Sequence, residues 1–195
     1  MTRAIPIVPT ILVIAAAGVM VWLGFWQLGR AEEKTELIAL YESKISQPGV
    51  LEIEAGNGEA TYRNVKLSCE TPREWQAVAG RNENGRTGYA HRYLCSVIEF
   101  YDSDPRRTYV DIGWSTSPQD PGFVGGTVAG ILVEMGDDYK VVAQEPMADL
   151  QPLAKPDPND LPNNHLAYAG QWFFFALTAL VIYAFALKSR AGKRG

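Results

Sequence analysis

Charge is missing from two long stretches of this 195-residue chain. No Asp, Glu, Lys or Arg occurs in residues 5–29, nor in residues 161–187. Acidic residues are also missing from both ends, because all 22 lie between those runs. Residues 30–160 hold 13 basic residues against the 22 acidic ones, a net charge of −9. The other five basic residues (Arg3, Lys188, Arg190, Lys193 and Arg194) flank the outer ends. A cytosolic globule does not segregate charge in this way. An acidic central segment also disfavours nucleic acid as a partner. Cysteine and histidine are scarce, with two of each. Cys69 and Cys95 do not form a C-x-x-C, so paired-thiol redox chemistry and copper delivery lack a motif. His91 and His165 have no carboxylate or histidine cluster at metal-ligand spacing, so a zinc hydrolase lacks its ligands. G-x-S-x-G, a phosphate loop and a dinucleotide fingerprint are all absent.

The uncharged runs are themselves informative. The first, IPIVPTILVIAAAGVMVWLGFWQLG, exceeds the roughly 20 apolar residues that span a bilayer as a helix. Its prolines, Pro6 and Pro9, fall where a helix start tolerates them. Its only A-x-A pattern lies mid-run, so an uncleaved anchor fits better than a signal peptide. The second run, LPNNHLAYAGQWFFFALTALVIYAFAL, opens with proline and two amide side chains able to cap a helix. Tyr168, Trp172 and Tyr183 suit membrane interfaces. Transmembrane helices are therefore expected at 5–29 and 163–187, followed by a basic tail at 188–195. The outer placement of Lys and Arg predicts both termini cytoplasmic and the middle exported. A bacterial inner-membrane protein with a periplasmic domain is the natural setting.

The middle segment, 30–162, reads as a small α+β domain of mainly antiparallel β structure. A leading amphipathic helix at 30–46 follows from the spacing of Leu37, Leu40, Tyr41 and Lys44, and Pro48-Gly49 ends it. Runs rich in Val, Ile, Tyr and Thr predict strands at 60–67, 88–100, 108–114, 126–134 and 139–144. RNENGR and MGDD are turns, and DSDPRR and STSPQDPG are loops. Four prolines make 151–162, extending to Asn164, an exposed tether into the second span. The two cysteines form a disulfide in an oxidising compartment or remain buried thiols; the spacing alone leaves both open. His91 reads as a surface or hairpin residue.

His165 falls in the first turn of the second span. A neutral imidazole there can act as an axial iron ligand. Tyr168, Ala169 and Trp172 share its helix face, and Trp22, Trp26 and Arg30 share a face of the first span. If the topology holds, Trp26, Gln27, Arg30, His165, Tyr168 and Trp172 meet at one depth. Such a group supplies an apolar slot, an axial base and a cation for porphyrin propionates. An ordinary aromatic belt with a histidine at a helix start is the competing reading. Gln171 is a further polar group within the span that needs a partner.

The residues also carry a resemblance. LGFWQLGRAEEK resembles the leading signature L-G-x-W-Q-x-x-R-x-x-x-K of the Surfeit locus protein 1 family, whose members include Shy-type cytochrome c oxidase assembly factors. PNNHLAYAGQWFFFA is similar to the family's closing signature, and YRNV to its internal Tyr-Arg-x-Val. Ser68-Cys69 stands where the family usually has glycine, and Ile112 where it often has arginine before Gly-Trp. The resemblance implies a non-enzymatic factor for haem-copper cytochrome c oxidase. It would bind haem a near the periplasmic membrane face and assist its insertion into the largest oxidase subunit. His165 would be the axial iron ligand, Trp26, Tyr168 and Trp172 would wall the slot, and Arg30 would meet a propionate. Implied partners are oxidase subunits, the haem a biosynthesis enzyme and membrane lipid. The alternative is a cofactor-free scaffold or accessory subunit; a thiol oxidoreductase is a third class.

Overall fold

A computed structural model describes residues 6–100 and 103–192. Arg3, Lys193 and Arg194 of the outer basic groups, and Asp102 of the DSDPRR run, lie outside the described residues. The chain divides into two units. The first comprises Met1–Ile38 and Pro162–Gly195, the second Ala39–Leu161.

The first unit is a pair of helices, less the last turns of the first helix, which from Ala39 onward belong to the second unit. α1 spans Ile7–Ile45 without a break, and α2 spans His165–Gly192. Both are long and apolar enough to cross a membrane. Only 11% of the apolar window of α1 and 6% of that of α2 is buried within the protein, so neither is the core helix of a globule. Apolar residues face outward all along them, including Ile11, Val19 and Phe25 on α1 and Phe174, Leu177 and Phe185 on α2.

The second unit is one seven-stranded sheet. Its strands are β1 (Leu51–Ile53), β2 (Asn64–Cys69), β3 (Arg73–Arg81), β4 (Thr87–Phe100), β5 (Ser103–Ser115), β6 (Gly126–Met135) and β7 (Asp138–Ala143). They lie in the order β1-β2-β6-β7-β5-β4-β3. The sheet is mixed, which corrects the expectation of a mainly antiparallel one. β1 and β2 pair in parallel, as do β5 and β7. The second parallel pair follows from the MGDD hairpin. That turn folds β7 back onto β6, and β7 rather than β6 takes the place beside β5.

Further corrections are local. β1 and β3 were not anticipated. β3 reads REWQAVAGR, an edge strand whose half-exposed residues need little β-branching. The run expected at 60–67 becomes strand only from Asn64, because Tyr62 adopts a left-handed φ of 58° in a turn. The DSDPRR run is not a loop, since its residues from Ser103 onward open β5.

Alternation puts the core on both faces. Val65, Leu67, Val110, Ile112, Leu132 and Val141 pack on one face; Ala90, Trp114, Ile131 and Val142 on the other. On the first face Cys69 and Cys95 are joined as a disulfide, with Cα atoms 5.0 Å apart. β2 and β4 are separated by three strands in the sheet order. In a flat sheet that separation would be about 19 Å at roughly 4.8 Å per strand. The sheet therefore curls around this face and the bond closes the curl. On the other face Tyr41 and Ile45 from the end of α1 pack with Tyr62 and Leu153.

Residues 151–161 hold one short 3-10 turn, Pro158–Asp160, and isolated bridges from Gln151 to Trp114 and from Leu153 to Asn82. The segment is nonetheless a fixed strap over the sheet and not a free tether. Gln151 exchanges backbone bonds with Trp114 at 2.8 and 2.9 Å, and the Ala154 N–H donates to the Arg81 carbonyl at 2.9 Å. Leu153 and Pro158 are buried, and Asn159 donates to Glu42 Oε1 at 2.8 Å. Proline removes donors from this segment, but the N–H groups of Gln151, Ala154, Asn159, Asp160 and Leu161 find partners.

Candidate functional site

Small residues decide how α1 and α2 meet. Ala17, Gly24 and Ala31 recur every seven positions on α1 and are its buried residues. Ala169 and Ala176 do the same on α2. A seven-residue period keeps one seam facing a partner helix, and small side chains allow close approach in a membrane. A Cβ on Gly24 would lie 2.5 Å from the Phe173 ring, so the helices touch there. The helices run antiparallel, with Thr10 bonded to Tyr183 and Gln27 to His165.

That seam positions the polar groups. His165 is the first residue of α2 and is half-buried. Its Nδ1 lies 2.7 Å from Gln27 Oε1. The amide oxygen accepts, so Nδ1 donates, and a neutral ring then presents its lone pair at Nε2. Among the described residues nothing bonds to Nε2. Two residues earlier, Asn163 Nδ2 donates to the Ala31 carbonyl at 3.4 Å and to Thr35 Oγ1 at 3.5 Å. Its Oδ1 is buried without a hydrogen-bond partner.

The other sequence-predicted site residues do not join this contact. Trp26 and Tyr168 are each 50% exposed on the outer surface of the helix pair. Trp172 is half-buried and meets Phe175 of its own helix edge-on. Arg30 pairs with Glu33 one turn along α1, and both are exposed. Gln171 is exposed. The arrangement is an anchored imidazole on an open apolar flank, not an enclosed slot. Sequence reasoning placed Gln27 near this depth but missed its bond to His165, and it missed the part of Asn163 and Gly24. The seven-residue spacing of small residues was the available signal.

The second unit offers little competing chemistry. No group of His, Cys, Asp and Glu able to hold a metal occurs among the described residues. His91 is fully buried, not on the surface as expected. It stacks on Trp75 and bonds Ser115 Oγ through Nε2 at 2.8 Å. Burial holds its pKa below the ordinary histidine value, with Asp120 opposing weakly. Both cysteines are consumed in the disulfide, so the thiol oxidoreductase reading loses its nucleophile.

The sequence model of the SURF1 family matches residues 14–177, most of the chain. The chain belongs to the SURF1 family. The family is known for cytochrome c oxidase assembly and is a family of assembly factors rather than catalysts. No curated protein matches the chain at a significant level. The matched SURF1 region starts within α1 and ends within α2, so it takes in Gln27, His165, Phe173 and the whole sheet.

Proposed function

We propose that this SURF1-family chain holds haem a on the outer flank of its helix pair and assists its insertion into the largest subunit of a haem-copper cytochrome c oxidase. The observation that carries the reading is the His165–Gln27 bond. An imidazole whose Nδ1–H is held by an acceptor has a fixed tautomer and orientation, and its Nε2 is a better base. The residues present fit haem: His165 would hold the iron through Nε2, with Nδ1 bonded to Gln27. Haem bound here supplies an iron for that bond and a porphyrin face for aromatic contact. Trp26, Tyr168 and Trp172 furnish aromatic surface on either side of the seam. Arg30 reaches a propionate by exchanging its exposed partner Glu33, a cheap exchange because exposed pairs contribute little. An open flank, unlike an enclosed slot, lets a haem a-forming enzyme deliver the ligand and an oxidase subunit remove it.

In this reading the helices cross a bacterial inner membrane. The sheet unit is periplasmic and both termini cytoplasmic, as the basic residues outside the apolar runs favour. A cofactor-free scaffold binding oxidase subunits is the second reading, favoured by Arg30 being already paired with Glu33. An absorption spectrum of the protein purified from cells that make haem a separates the two. The haem reading expects a haem a spectrum that His165→Ala abolishes, and a weaker loss for Gln27→Leu. A protein without haem, or a His165→Ala protein with unchanged haem, overturns it. For topology, a reporter active only in the periplasm should work within the turn at 81–86 and fail after Gly195.

A further inference from the structure

The face of the sheet that carries Trp114 holds a buried charge arrangement that the haem reading does not use. β5 has one more residue than β4 between the pairs Ala90↔Trp114 and Arg92↔Asp111. Such a bulge re-aims the side chains beyond it. Asp111 and Trp114, three residues apart, therefore occupy the same face. Asp111 is 2% exposed and Arg92 9%. Arg92 donates through Nε and Nη2 to the two Asp111 oxygens at 2.6 and 2.9 Å. Lys140 Nζ donates to Asp111 Oδ2 at 3.0 Å. Two cations thus share one carboxylate. Among the described residues the third guanidinium nitrogen, Arg92 Nη1, bonds only Met135 Sδ at 2.9 Å, a weak acceptor.

These three residues line a cavity of about 340 Å³. Its wall is otherwise apolar near them, with Val78, Ala90 and Val142 on the sheet and Leu153 on the strap. The strap is held by its backbone bonds to Trp114 and Arg81, so the roof is preformed. The remaining charges around the cavity are Arg81, Lys155, Glu134, Asp157 and Asp160. All five are exposed, so water and salt screen them. Arg92 and Asp111 are buried, Lys140 is 27% exposed at the cavity wall, and the three together carry one positive charge in excess. Beside groups largely removed from water, an incoming anion balances that excess. The volume lies at the low end of small-molecule sites.

We propose that this cavity binds a small monocarboxylate with an apolar body, its carboxylate held by Arg92 Nη1 and Lys140 Nζ. The carboxylate has two sources, a peptide C-terminus or a short fatty acid. The test uses the full chain in lipid nanodiscs and three probes: N-acetylleucine, N-acetylleucinamide and octanoate. Binding is read by calorimetry. At least one acid should bind, and the neutral amide at least tenfold more weakly than N-acetylleucine if that acid is the one bound. A tighter N-acetylleucine marks the peptide source, a tighter octanoate the fatty-acid source. Lys140→Met should weaken acid binding at least tenfold, and Lys140→Arg should restore it to within a few-fold. Asp111 keeps its bidentate Arg92 partner in both variants, so the fold persists. The proposal is overturned if neither acid binds at millimolar concentration, if amide and acid bind equally, or if Lys140→Met leaves acid binding unchanged. Haem content is indifferent to these variants, so the result is independent of the His165 assignment.

Discussion

The helix pair and the sheet unit are held by different means. Along the helix seam the contacts are small residues, two aromatic rings and a handful of polar bonds, and most apolar side chains face outward. The sheet unit has apolar clusters on both faces, a disulfide and an ion network at Asp111. In the sheet, backbone meets backbone at fixed spacing, so an added atom has nowhere to go. In the helix pair the closest neighbour is a ring that can swing. Tolerance is therefore expected to be low in the sheet and high in the seam.

Gly130→Ala should give the largest effect. Its Cβ would lie 2.1 Å from the Val142 carbonyl oxygen, a backbone atom that cannot move without breaking the β6–β7 ladder. We expect a loss above about 4 kcal/mol, seen as absent near-ultraviolet dichroism from the sheet unit with helical signal retained. A folded Gly130→Ala sheet would break the comparison. Removing the disulfide should come next. Cys69 and Cys95 are 26 positions apart. Closing such a loop contributes roughly 3.5 kcal/mol in the chain-entropy model. Cys69→Ala with Cys95→Ala should lower the sheet's thermal midpoint and leave helix content unchanged.

Tyr93 sharpens the contrast through pH. Burial, then its hydrogen bond to Asp120, push its pKa up from 10.0 to about 12. A raised folded-state pKa means the neutral phenol is favoured in the native protein. Its contribution is complete below about pH 10 and is lost as pH rises toward about 12. The midpoint of the wild-type sheet should fall more steeply across that window than that of Tyr93→Phe. Parallel curves for the two proteins would count against a perturbed Tyr93. The smallest effect is expected for Gly24→Ala. Its Cβ would meet only the far edge of the Phe173 ring, and alanine favours helix by about 1 kcal/mol. Helix-pair stability should change by less than about 1 kcal/mol in a detergent titration, and a large loss would mean Phe173 is locked.

The two regions also differed in how legible they were. Uncharged runs announced both helices, because an unbroken run of about 20 apolar residues is long enough for a membrane-spanning helix whatever lies beside it. The strands rich in Val and Ile, β4 to β7, were also visible, as was the MGDD hairpin. β3 was not, because an edge strand with half its surface in water needs no strong β-propensity. At the candidate site, His165 and its aromatic neighbours stood out by type and spacing. Gln27 as the partner of Nδ1 did not, since that bond spans 138 positions of sequence.

By itself the sequence determined what depends on local composition and period. It set the two apolar helices, the acidic strand-rich middle, the scarcity of metal ligands and the signatures that match the SURF1 family. Only the tertiary structure decided what depends on distant residues meeting. It placed β7 beside β5 and so made the sheet mixed. It curled that sheet until Cys69 met Cys95. It turned the proline-rich segment into a strap, and it left Arg92 and Lys140 sharing Asp111 beneath it. Such pairings are chosen by the joint packing of both sheet faces, which no single stretch of chain encodes.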